Sequence, residues 1–230
     1  MKLNGEAKLF LGILIVAIPL AYVALAPTLN KPGSTPPPTP PPPAVTKQSL
    51  LQEPFHFKGA KDARYTLVEF GDYQCPQCKV ADGEVSKILE KNRDKVRYIF
   101  RYYRATDRHK WAGVLARAAE AAEAQGKFWE MHKALFDRQE KFTPMTEMKQ
   151  VFDELMDVAK ELKLDMLKFK PDLMSEETQK AVAAAQVHAE KLNISATPSF
   201  YVVLPDAEQP MPIATTTQLR DWFNNASNLK

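Results

Sequence analysis

The polarity of the chain changes character twice. Residues 9–30 form an uncharged, apolar run, LFLGILIVAIPLAYVALAPTLN; residues 30–48 are polar and proline-rich; from about Phe55 onward apolar positions recur with strand and helix periods. Residues 65–70, YTLVEF, are rich in β-branched and aromatic side chains and predict a strand. A helix with Val80, Val85, Ile88 and Leu89 on one face follows, and 96–102 alternates as a second strand. Residues 111–125 are alanine-rich and helical, closed by Gly126; 127–139 resumes a helix; 146–162 spaces Met148, Val151, Phe152, Leu155 and Val158 by three and four. Asp165 and Ser175 have the character of N-caps, and the helix after Ser175 should run to about Leu192. Residues 200–204 predict a strand, 205–208 a turn, 211–213 a short edge strand, and Thr217 the cap of a last helix carrying Leu219, Trp222 and Phe223. The order is strand, helix, strand, a block of helices, strand, strand, helix: an α/β fold with a helical insertion at about 111–192.

The apolar run near the N-terminus would extend about 33 Å as a helix, enough to cross a hydrocarbon core of about 30 Å. Pro19 lies mid-run, which membrane helices tolerate. A cleaved secretory signal is the alternative, since Ala24-Leu25-Ala26 resembles a cleavage site. Pro27 would then follow the cut, a poor fit for a protease that binds extended backbone, and the run exceeds the roughly 7–15-residue core of a signal. The favoured reading is a cytoplasmic N-terminus at 1–8 and a signal-anchor transmembrane helix at 9–29. Lys2 and Lys8 on the inner side agree with that orientation. Absence of a nearby cysteine excludes a lipid-modified one. Residues 30–54 then form a Pro-rich linker in extended polyproline conformation, at about 3.1 Å per residue, leading to a domain at 55–230.

Composition changes this picture little. Ten of the 18 prolines fall between Pro27 and Pro54, so that skew is local. Net charge is +3, and residues 1–54 supply +2 of it as four Lys against two Glu. A domain with about one net positive charge has no electrostatic footprint for nucleic acid. The basic stretch RYYRATDRHK at 101–110 is explained by a solvated strand end running into a helix.

The chemistry lies in the only two cysteines, Cys75 and Cys78, in EFGDYQCPQCKV. A structural zinc site needs about four N or S ligands, and none of His56, His109, His132 and His188 stands at finger spacing from Cys78; the expectation is no metal. A disulfide across two intervening residues closes too small a loop to stabilise much. Cys-x-x-Cys after a strand and opening a helix is instead a thioredoxin-like redox signature. Helix N–H groups and the macrodipole would stabilise a thiolate on Cys75, the exposed sulfur, with Cys78 as its buried partner. Pro76 suits the first helical turn because it has no N–H to leave unpaired. Residues 194–200, ISATPSF, place a proline before a strand. A cis Thr197–Pro198 bond there would press the loop on the cysteines and leave the Thr197 backbone to pair with substrate; an ordinary trans proline is the alternative. Glu69, in mid-strand, is either a buried carboxylate that relays protons to Cys78 or an outward group on an edge.

The stretches VEFGDYQCPQC, GKFWEMHKALFDRQ and ISATPSFYVV resemble the DsbA-like disulfide oxidoreductases, thioredoxin-fold proteins of the bacterial envelope, over roughly residues 55–225. The resemblance implies a thioredoxin-like fold, Cys75 and Cys78 as the redox pair, Thr197-Pro198 as a substrate-binding cis-proline loop, and Glu69 at the buried-carboxylate position. Pro76 and Gln77 would tune the redox potential; Gln77 stands where strong oxidases carry histidine, and a neutral amide stabilises a thiolate less. Two further departures are the loop RATDRHKW and the hairpin LPDAEQPMPI, which lacks the usual glycine turn.

The expected activity is a membrane-tethered, monomeric oxidase outside the cytoplasm. It needs no cofactor beyond the Cys75–Cys78 disulfide, acts on exported proteins with free thiols, and is reset by a quinone-linked membrane oxidase of DsbB or VKOR type. The alternatives are a reductase or isomerase using the same pair, and a tethered chaperone-like binding module with little turnover. Residues 31–54 are too short and proline-rich for the dimerisation domain an isomerase usually carries.

Overall fold

The computed structural model describes residues 45–54, 56–104, 107–225 and 229. The expected anchor at 9–29 and the linker up to residue 44 lie outside the described residues. Among the described residues, no helix is long and apolar enough to cross a membrane.

Five strands form one sheet in the order β1-β3-β2-β4-β5: β1 (His56–Gly59), β2 (Tyr65–Gly71), β3 (Val96–Tyr102), β4 (Ser199–Val203) and β5 (Met211–Ile213). β2 pairs parallel with β3 and antiparallel with β4; β1 and β5 close the edges antiparallel. β2 is central and buried along its whole length, which is why YTLVEF shows no polar alternation. Its odd positions face one core, where Leu67 packs with Tyr98, Phe100 and Val202. Its even positions, Val68 and Phe70, face a smaller cluster with Ile99, Val203 and Leu192.

The helix α2 (Pro76–Lys91) connects β2 to β3 and buries Cys78, Ala81, Val85, Ile88 and Leu89. Val80, placed on that face from the sequence, is 56% exposed; Ala81 takes the inward position. Between β3 and β4 lies the helical block: α3 (Ala112–Glu123), α4 (Phe128–Asp137), α5 (Gln139–Phe142), α6 (Met148–Glu161), α7 (Met166–Met174) and α8 (Glu176–Lys191). Gly126 ends α3 at φ +68°, with its N–H donating to Glu123 O and that of Lys127 to Ala122 O, so the expected stop is a left-handed cap. Asp165 and Ser175 cap α7 and α8 through their side chains. Met148 is half exposed, so the buried stripe of α6 begins at Val151. The last helix, α9 (Thr216–Asn224), is capped by Thr215, not Thr217: the Thr215 hydroxyl accepts from Gln218 N–H.

Two elements had no sequence forecast. One is β1, whose short and mostly exposed strand carries little pattern. The other is α1 (Lys47–Leu50), a single turn with a Thr46–Ser49 capping box. It falls inside the expected linker at 30–54, yet Leu50 is fully buried in the smaller cluster. Arg101, expected to be solvated, is 5% exposed and donates to the carbonyls of Leu50 (2.9 Å) and Gln52 (2.5 Å).

Candidate active site

Both cysteines sit where β2 hands over to α2. Cys75 is the N-cap of α2 in extended backbone conformation, and Pro76 occupies the first turn, where a missing N–H costs nothing. The loop before it is held from three sides. Gln74 N–H donates to Asp72 Oδ1 (2.8 Å), Asp72 Oδ2 meets His109 Nδ1 (2.6 Å), and Cys75 N–H donates to Asp72 O (3.0 Å). Gln139, buried on α5, donates its amide to both Tyr73 O (2.8 Å) and Cys75 O (2.9 Å).

Both sulfurs are free thiols. Cys78 is fully buried; Cys75, expected to be exposed, is only 6% exposed, while Pro76 and Gln77 beside it face solvent. Their acidities diverge. Cys75 is lowered from 9.0 to about 6, first by the Cys78 thiol hydrogen-bonded to its sulfur, against burial, then by the Thr197 side chain and the N–H groups of Cys78 and Gln77. The forecast placed the helix terminus first; the structure places the partner thiol ahead of it. Cys78 is pushed strongly upward by burial and by its bond to Cys75.

The Thr197–Pro198 peptide is cis, and Thr197 O faces Cys75 Sγ at 3.3 Å, accepting from the thiol. That carbonyl is therefore engaged by the protein's own sulfur while Cys75 is protonated, where the sequence reading leaves the Thr197 backbone for substrate. Both residues are half-buried.

Glu69 lies on the central strand, 1% exposed, not on an edge. It faces the core beneath α2, where Tyr98 donates its hydroxyl to Oε2 (2.8 Å) and Oε1 has no partner. Burial raises it from 4.5 to about 8, with smaller contributions from the charges of Asp82 and Cys75. Gly71 closes over it: a Cβ there would stand 2.9 Å from Glu69 Oε1 and 2.5 Å from the Phe100 ring. A second polar chain runs alongside. His132, 2% exposed in α4, meets the Tyr73 hydroxyl at 3.0 Å and Asp82 at 3.3 Å.

Asp72, Gln139, His132 and Tyr98 were not forecast as site residues. Asp72 stands in the quoted motif with nothing to mark its role. Gln139 is 64 positions from Cys75, and only the folded insertion brings it near. Among the described residues no group of three or more His, Cys, Asp or Glu could hold a metal.

A parallel β-α-β unit with two thiols at its helix start and a cis-proline opposite them defines a thioredoxin-fold dithiol protein. A family model described as Thioredoxin matches residues 52–218, and the chain belongs to that family. It is 35% identical over 153 residues to disulfide bond formation protein D of Bacillus subtilis (strain 168), covering 63% of this chain and 65% of that protein. A Na(+)/H(+) antiporter NhaA 1 of Salinispora arenicola (strain CNS-205) is 35% identical over 147 residues, 64% of this chain. The chain spans about a fifth, 21%, of that antiporter's length. Among solved structures it is similar to a thioredoxin-like oxidoreductase from Silicibacter pomeroyi DSS-3 (TM-score 0.59, 28% identity), covering 81% of this chain and all of that one.

Proposed function

We infer that this protein is a thiol:disulfide oxidoreductase that gives the Cys75–Cys78 disulfide to exported proteins. The observation that carries this reading is the divergence of the two sulfurs, Cys75 near 6 and Cys78 driven far upward. A substrate thiolate attacks Cys75 Sγ of the oxidised pair, and the Cys75–Cys78 bond breaks as the substrate–Cys75 bond forms. Cys78 leaves and takes up a proton. A second substrate thiolate then attacks the substrate sulfur of the mixed disulfide, and Cys75 departs as a stable thiolate. Two substrate thiols lose two electrons and the enzyme gains them. Because Cys75 stays ionised at pH 7, the dithiol form is favoured by about 1.4 kcal/mol for each unit its pKa lies below ambient pH, or about 30 mV of oxidising strength.

Glu69, with a pKa near 8, suits the transfer of a proton to or from Cys78, which no water reaches directly. Pro76 and Gln77, exposed at the helix start, tune the pair, and Thr197 with Pro198 borders the bound substrate chain. The fuller reading adds a membrane helix at 9–29, a catalytic domain outside the cytoplasm, a monomeric state, and a quinone-linked membrane oxidase of DsbB or VKOR type that resets the disulfide. No cofactor beyond the disulfide is required.

The test is the reduction potential of the purified protein against glutathione. A value near about −120 mV supports the oxidase; one near about −270 mV makes the protein a reductase. A Cys78→Ala variant should accumulate mixed disulfides between Cys75 and exported proteins in cells. Their absence would leave a binding module instead.

A further inference from the structure

Beyond the carboxyl ends of β2 and β3, against α3 and α8, lies a cavity of about 420 Å³ that the redox chemistry does not use. Its walls mix apolar side chains, among them Met148 and Val182, with three cations: Arg104, Lys110 and Arg117. The one ionisable acid in the lining is Asp72, whose side chain is fully buried and paired with His109. A second cavity, of about 360 Å³, carries three acids in its lining, Glu53, Glu120 and Glu123, beside Arg101.

The cations are under-used. Arg117 projects from α3 with a single long contact, Nη2 to Ser175 O at 3.5 Å, and its buried Nε has no partner. Lys110 donates to a carbonyl, Thr146 O, at 2.8 Å and stands over the Trp111 ring, 4.4 Å from its centre. Among the described residues neither has an ion-pair partner; Arg104 has only the fully exposed Asp107, at 3.6 Å. Arg117 is half-buried, whereas Arg101 is buried and spends its terminal nitrogens on the backbone carbonyls of residues 50–54. A buried guanidinium N–H left unpaired is costly, and a planar carboxylate is the group whose geometry repays it. The small residues Ala112, Gly113 and Ala116 on the facing turn of α3 keep the space open, and a Cβ on Gly113 would meet nothing within 4 Å. The volume is within the range of small-ligand sites.

We propose that this cavity binds an organic anion, a carboxylate carried on an apolar body about the size of a phenyl ring, with Arg117 as its principal partner and Lys110 and Arg104 at the mouth. The same chemistry is offered by a free aromatic or branched acid and by an acidic side chain beside an aromatic one in a polypeptide. Binding here does not depend on the redox reading.

The probe is 3-phenylpropionate, titrated against the reduced protein by calorimetry and by NMR shifts, with its neutral amide as control. The carboxylate should bind at least about tenfold tighter than the amide, and Arg117→Gln should remove that preference while Arg117→Lys keeps part of it. Circular dichroism establishes that each variant is folded. If Arg117→Gln does not fold, Lys110→Gln should weaken the carboxylate and leave the amide unchanged. Equal binding of acid and amide, or no saturation by about 10 mM probe, overturns the proposal. Competition by a cysteine-free peptide containing Phe-Glu assigns the carboxylate to a polypeptide. Competition by free acids alone assigns it to a small molecule. If neither displaces the probe, the site is not one for this chemistry.

Discussion

Two sulfur atoms three positions apart are pulled in opposite directions, Cys78 upward first by burial and Cys75 downward first by the hydrogen bond between them. Cys78 donates its proton toward Cys75, which lowers one thiol and raises the other. Thiolate absorbance of the reduced protein should therefore rise with a midpoint near pH 6, and Cys75→Ser should abolish that transition, leaving Cys78 protonated through neutrality. A single transition near 9 would sink the assignment. The sign for stability follows. A thiol whose pKa falls on folding stabilises the reduced form fully above about pH 9, and that contribution is lost as pH falls through about 6. Glu69 works the other way: folded near 8 against 4.5 unfolded, it holds a proton the unfolded chain gives up, so its contribution is complete below about 4.5 and lost as pH rises through 8. Glu69→Gln should raise the unfolding free energy at pH 8, by on the order of 4 kcal/mol, and change it little at pH 4.5. It should also slow the Cys78-dependent step of thiol exchange. A variant destabilised equally at both pH values would refute the buried proton. The sequence displayed Cys75, Cys78, Glu69 and Pro198 because each sits in a local pattern. It did not display that the partner thiol outranks the helix terminus, because that depends on the rotamer of one side chain.

At the scale of elements, the pair is held in place by a helix that the sequence showed only as part of a longer one. The forecast ran one helix from 127 to 139; the chain instead breaks at Arg138, and the short α5 turns Gln139 inward to clasp Tyr73 O and Cys75 O. Those bonds fix the turn that lets the N–H groups of Gln77 and Cys78 face the Cys75 sulfur. Gln139→Ala takes the side-chain donor from Tyr73 O and one donor from Cys75 O, which keeps the N–H groups of Cys78 and Lys79, and should cost about 1–3 kcal/mol. It should also move the thiolate midpoint upward from 6, a readout that mere loss of stability does not produce. An unchanged midpoint in a folded variant would confine Gln139 to a packing role. Elements with strong periodicity, β2, α6 and α8, were legible to within a few residues, as were the caps at Asp165 and Ser175. Their signals are local: a face spaced by three and four, or a hydroxyl or carboxylate at a helix start. The breaks were harder. Val80 and Ala81 are both apolar, so periodicity alone could not choose between them, and only packing against the sheet turned Val80 outward.

At the scale of the molecule, the described residues form two cores, one on each face of the sheet, and they differ in how they are closed. The larger is sealed by α2, α9 and the insertion, all of which the hydrophobic pattern announced. Among the described residues the smaller has the end of α8, Ile194 just after it and the arm before β1 to cover Val68, Phe70 and Ile99, and the sequence reading places that arm in a linker because prolines precede it. Leu50 is its apolar anchor, and Arg101 draws the carbonyls of Leu50 and Gln52 onto β3 at the expense of its own solvation, which burial shows by lowering its pKa to about 10. A boundary between spacer and domain placed at residue 54 would thus cut through a core, whereas one near residue 44 leaves it whole. A protein beginning at Val45 should unfold as the full described domain does. One beginning at Phe55 should lose on the order of 3 kcal/mol or more, since it exposes two aromatic or branched side chains of β2 and strips a buried guanidinium of its acceptors. Leu50→Ala in the longer form should by itself reproduce the loss in part or whole, costing about 2–5 kcal/mol. Denaturant unfolding of the three proteins decides the matter. Equal midpoints for the two truncations would make the arm a passive spacer, and would leave the closure of the smaller core to α8 alone.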